Sequence, residues 1–138
     1  HDGVLVTESA AIACYLTDAF PQNGLGPLVG DPLRGPYLTW LAHYAGVVEP
    51  VAGSMFDGSM QTDPAKAAAY DLMVQRSRDA LPAGPYLLGQ RFSAADILFA
   101  SLLQFARQVL PEDAVFDEFL ERVTSRPAFA LAQEKNRP

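Results

Sequence analysis

Thr7-Glu8-Ser9 stands where an apolar run, Val4-Leu5-Val6, gives way to good helix formers from Ala10 to Leu16. The opening of a helix offers free backbone N–H groups and the positive end of its dipole, both of which suit a carboxylate. Ser9 adds a hydroxyl donor, and Glu8 can hold an ammonium group. Together they have the chemistry to grip an α-amino acid head group, which carries both charges. The same residues also read as an ordinary helix cap, with Thr7 or Ser9 in the capping role. A second constellation is Phe92-Ser93-Ala94-Ala95-Asp96-Ile97. There Ser93 can accept from the Asp96 amide while the Asp96 carboxylate reaches back to the Ser93 amide, and Phe92 with Ile97 forms a hydrophobic staple. That pattern fixes a helix start and does no chemistry.

The rest of the inventory excludes more than it offers. With only Cys14, His1 and His43 available, the spacing makes no Cys/His zinc site, and no metal site is expected. Gly24, Gly26 and Gly30 do not form a dinucleotide fingerprint, and neither a phosphate-binding P-loop nor a nucleophile elbow is present. Ten Lys and Arg against sixteen Asp and Glu give a formal charge of −6, the wrong sign for nucleic acid or an anionic membrane surface. The richest apolar run, Ile97 to Leu103, is far shorter than a membrane span requires. A single cysteine excludes an internal disulfide and fits a reducing compartment. The chain opens on His1 and its first methionine is Met55, so a processed chain or a fragment is expected.

These residues need elements to position them. At 138 residues with 49% hydrophobic and 19% charged content, the chain has the size and composition of one globular domain. Asp2-Gly3 and Val4-Leu5-Val6 read as a turn and a short strand, followed by a helix that Phe20-Pro21 stops. That helix is apolar nearly all round, so neighbours are expected on more than one side. Pro21 to Pro36 is dense in proline and glycine and reads as a linker. Beyond it everything reads as helix. Tyr37, Leu41, Tyr44 and Val48 recur at helical steps in a helix that starts near Gly35 and that Glu49-Pro50 should kink or end. Asp63-Pro64 opens a helix to about Leu81, and Ser93 opens another to about Leu110. Shorter helices are expected around Asp113 to Val123 and from Pro127.

The stretch from Asp2 to Ile12, with Tyr15-Leu16 and Phe20-Pro21, resembles the glutathione transferase family. It looks like the last strand and helix of the family's thioredoxin-like domain. Tyr86-Leu87-Leu88-Gly89, leading into the Ser93 to Asp96 motif, is similar to the helix-start motif of its C-terminal domain. Arg126-Pro127-Ala128-Phe129 resembles its common ending. The resemblance implies an all-α chain: residues 1–20 as the thioredoxin-like remnant, 21–34 as linker, and 35–138 as a bundle of about five helices. It implies that Glu8 and Ser9 hold the γ-glutamyl end of glutathione. The catalytic residue is expected upstream of His1, and Cys14 reads as core.

For the electrophile it points to Trp40, His43 and Tyr44. Trp40 and Tyr44 read equally as packing, and His43 as a surface or core histidine. The implied protein is a cytoplasmic, homodimeric transferase that uses glutathione as cosubstrate with a hydrophobic electrophile and needs no other cofactor. This chain alone would be inactive. A non-catalytic dimerisation or interaction module, and a glutathione-dependent isomerase or reductase, remain alternatives.

Overall fold

The computed structural model describes residues 1–137. Helix α1 spans Ser9–Ala19 and ends where Pro21 forces Phe20 out of the helical region. Two expectations about its approach are corrected. Val4–Val6 is irregular rather than a strand, because a strand exists only through ladder bonds to a neighbour. No strand is formed among the described residues, and Val4 and Leu5 stand 63% and 85% exposed. Neither Thr7 nor Ser9 caps the helix: Glu8 holds the capping position and no side chain bonds the first turn.

α1 buries one face only, through Ala13 and Thr17, and leaves Ala11 and Ile12 exposed. That face meets α2 (Arg34–His43) and α5 (Ala94–Phe105). The joint is polar at its centre. The Tyr37 hydroxyl lies 2.8 Å from Thr17 Oγ1 and 3.2 Å from the Ala13 carbonyl oxygen. The Arg34 guanidinium grips the Asp18 carboxylate with both arms and also donates to the Pro27 carbonyl and to Cys14 Sγ. Cys14 is therefore half-buried, packed against the hydrophobic core at the edge of this polar joint. Between α1 and α2 the chain makes one 3₁₀ turn, Pro21–Asn23, and passes close over Tyr37. A Cβ on Gly26 would sit 2.9 Å from Tyr37 Cζ, so only glycine permits this approach.

α2 does not stop at Glu49-Pro50. It runs through a π-helical turn, Tyr44–Val48, into α3 (Glu49–Phe56). A proline in a regular helix lacks one N–H and collides with the carbonyl four residues back, and the wider turn accommodates both defects. Of the two outcomes expected at Glu49-Pro50, a kink or an end, the helix does not end but changes register. α4 (Pro64–Ala80) opens on Asp63, whose carboxylate accepts from the Ala65 N–H. α6 (Ala114–Thr124) opens the same way on Asp113 and Val115, and α7 spans Pro127–Lys135.

α5 ends at Phe105, earlier than the expected Leu110. The chain breaks at Ala106 and turns through a 3₁₀ segment, which carries Ala106, Val109 and Leu110 into the core. Arg107 holds that turn with bonds to the Leu110 and Pro111 carbonyls and to Asp117. The core gathers around α5, where Phe99 and Leu103 meet Phe116 and Phe119 of α6, with Tyr37, Val48 and Met73 also fully buried. Phe99 and Phe119 meet edge to face at 5.7 Å.

Candidate functional site

The start of α1 combines an uncapped first turn, a strained residue and a hydroxyl. Glu8 has φ 67° and ψ 122°. A side chain there costs about 1–3 kcal/mol, and such strain gathers at ligand clamps and active sites. It turns the chain sharply into the helix, so that the first helical hydrogen bond is Ile12 N–H to the Glu8 carbonyl. The amides of the first turn of α1 therefore have no acceptor within the helix and lie at the positive end of its dipole. Glu8 is exposed and Ser9 half-buried.

Ser9 Oγ donates to Glu49 Oε1, at 3.4 Å. Glu49 is the first residue of α3 and is exposed. Nothing local in the sequence marked it, because the two residues stand forty positions apart. The one usable signal, an acid before proline, reads first as a helix stop.

The three residues singled out on α2 and the π turn fall into two groups. Trp40 and His43 are buried and meet edge to face, 5.5 Å between centroids. The Arg76 guanidinium of α4 lies 5.1 Å over the Trp40 ring. His43 Nε2 is buried without a hydrogen-bond partner among the described residues. Burial, and then the charge of Arg76, hold the imidazole below its ordinary pKa. Tyr44 is also buried but faces other groups. Burial pushes its hydroxyl up, Ser101 of α5 pulls against that rise, and Glu49 adds to it. Glu49 thus influences Tyr44 and is bonded by Ser9, whereas Trp40 meets Arg76 of α4.

Ser93 and Asp96 are fully buried at the start of α5. The Asp96 carboxylate accepts from the Ser93 N–H at 2.7 Å, the Ser93 hydroxyl at 3.1 Å and the Leu87 N–H at 2.8 Å. Burial raises its pKa and these donors pull it back. A separate apolar cavity of about 250 Å³ lies between α5 and α7, lined by Leu25, Phe92, Ile97, Ala100 and Phe129. The Arg126 guanidinium is stacked over the Phe92 ring, 3.5 Å from its centroid.

No family model matches the chain. It is 29% identical over 131 residues to glutathione S-transferase GstA of Escherichia coli O157:H7, covering 91% of this chain and 65% of that protein. The chain therefore spans just under two thirds of that relative. Among solved structures it is similar to a glutathione transferase of Methylococcus capsulatus str. Bath, with a TM-score of 0.80 and 28% identity over 97% of this chain and 69% of that one. It is similar also to BphK, a bacterial transferase solved as a ternary complex, with a TM-score of 0.82 and 26% identity over 97% and 70%. A sphingomonad glutathione S-transferase complexed with glutathione matches with a TM-score of 0.74 and 26% identity over 94% and 67%. The resemblance to glutathione transferases thus extends along the chain, and its helical part has the all-α fold of their C-terminal domain.

Proposed function

We propose that residues 1–138 are the part of a glutathione transferase that holds the γ-glutamyl end of glutathione and carries the helical domain. The whole protein then adds the glutathione thiolate to an electrophilic small molecule. The observation that carries this reading is the uncapped start of α1, with Glu8 at a strained φ and Ser9 beside it. There the first-turn amides and the Ser9 hydroxyl bind the α-carboxylate of the γ-glutamyl group, and Glu8 supplies negative charge for its ammonium.

Rate comes from lowering the thiol pKa and from holding the electrophile beside the sulfur. In this reading the group that ionises the thiol lies outside residues 1–138. Tyr44 stands on the electrophile's side, with Trp40 and His43 packed together one turn earlier. Residues 1–20 serve as the end of a thioredoxin-like domain, 21–34 as its connection, and 35–138 as the helical domain. The working form is a cytoplasmic homodimer.

The carboxylate grip is remote from the reacting sulfur, so it contributes binding that is equal in ground and transition states. In the whole protein, Ser9→Ala should raise KM for glutathione about tenfold, the scale of one hydrogen bond to a charged group, with turnover nearly unchanged. Residues 1–138 alone hold one end of the tripeptide against an association cost of several kcal/mol. Calorimetry should show millimolar binding or none, and no conjugation. Micromolar binding by residues 1–138, or an unchanged KM in the variant, would sink the assignment.

A further inference from the structure

We infer that His43, Trp40 and Arg76 form an acid-released clasp between α2 and α4, independent of how glutathione is held. Trp40 and His43 stand three residues apart, so neighbouring positions on α2 carry both rings. The indole makes two contacts: the His43 imidazole meets it edge to face at 5.5 Å, and the Arg76 guanidinium lies 5.1 Å over its ring. His43 is 8% exposed, and its Nε2 is buried with no hydrogen-bond partner among the described residues. A neutral ring tolerates that isolation. An imidazolium carries an N–H on both nitrogens and needs an acceptor for each.

The surroundings supply none. Among the described residues no carboxylate pairs with His43, and the charge that bears on it is the cation Arg76. The acids of the neighbouring elements are committed elsewhere: Asp18 of α1 to Arg34, Asp96 of α5 to Leu87 and Ser93, and Glu49 of α3 to Ser9. On α4 itself, Asp71 and Asp79 are exposed. Protonation in place would bury a cation beside Arg76 with one N–H unmet. The ring therefore takes its proton only by leaving its seat against Trp40. Met73 and Val74 still root α4 in the core, so the clasp opens and the bundle does not. By linkage, the open form gains population about tenfold per pH unit below 6.5, the ordinary value of a free imidazole.

The test is acrylamide quenching of Trp40 emission in the whole protein, taken as the difference from Trp40→Phe, between about pH 7.5 and 5. Far-UV ellipticity is followed alongside. The quenching constant should at least double as pH falls, with ellipticity unchanged. His43→Gln should abolish the rise, because an amide does not titrate there. Arg76→Glu should also abolish it, by giving the imidazolium an acceptor where it stands. The 15N shifts of the His43 ring, assigned by their absence from His43→Gln, give a second reading in the unmodified protein. A ring that titrates with no change in quenching takes its proton in place, and a ring still neutral at pH 5 never leaves its seat. Either result overturns the clasp, as does a rise that persists in His43→Gln.

Discussion

Asp96 commits both carboxylate oxygens to buried donors, one to Leu87 and the other to Ser93. Asp96→Ala should therefore cost more than Ser93→Ala, because it strands two buried amides at about 1–3 kcal/mol each. Ser93→Ala should cost about 0.5–2 kcal/mol, the range for losing a helix cap. The double variant should fall short of the sum, since the two residues share one motif. Strict additivity in urea titrations would count against a shared motif. His43 gives a second expectation. Its imidazole is held below 6.5 by burial and by Arg76. A base with a depressed folded pKa contributes stability that is complete above 6.5 and lost as pH falls through the folded value. The denaturation midpoint should thus decline as pH is lowered from 7 toward 5, and His43→Phe should flatten that decline. An equal slope in the variant would refute it.

The joint between α1 and α2 turns on one hydroxyl. Tyr37→Phe removes the contacts to Thr17 and Ala13 and leaves the buried Thr17 hydroxyl with Ala13 alone. It should cost about 1 kcal/mol and speed amide exchange in α1 more than in α6. Equal acceleration in both helices would show that the hydroxyl does not set the joint. Helix starts were legible in the sequence at Asp63, Ser93 and Asp113, because a short side chain bonding an amide two or three residues on is a local event. The end of α5 was not: Ala106, Val109 and Leu110 continue an apolar pattern, and only the packing around Phe99 and Phe119 decides that they leave the helix. Val4–Val6 has strand composition, yet strand formation depends on a partner that local sequence does not encode. The start of α1 divides the same way. Glu8 and Ser9 stand out by residue type beside a helix start, whereas the hydrogen bond from Ser9 to Glu49 is visible only in the folded chain.

Over the whole molecule, four carboxylates lean the same way in acid. Asp31, Asp57, Asp113 and Asp117 are held below their ordinary pKa, the first and third chiefly by backbone amides, Asp57 by Ser59 and Asp117 by Arg107. Depressed acids contribute stability above about 3.8 that is lost as pH falls through their folded values. Asp96 runs the other way, since its raised pKa favours the folded state at low pH. Four against one predicts that the urea midpoint drops below pH 4, and that Asp113→Asn makes the drop shallower. A midpoint flat from pH 5 to 2.5 would refute this.

The π turn at Tyr44–Val48 bears on the whole chain as well. One residue beyond the α-helical count acts as a phase shifter, so every side chain after it is rotated by about 100° from where an unbroken helix would put it. Deleting Gly46 would restore the ordinary phase, swing Glu49 away from Ser9 and turn Val51 out of the core together. Chain length at this single point thus sets both the approach of Glu49 to Ser9 and the register of α3 against the core.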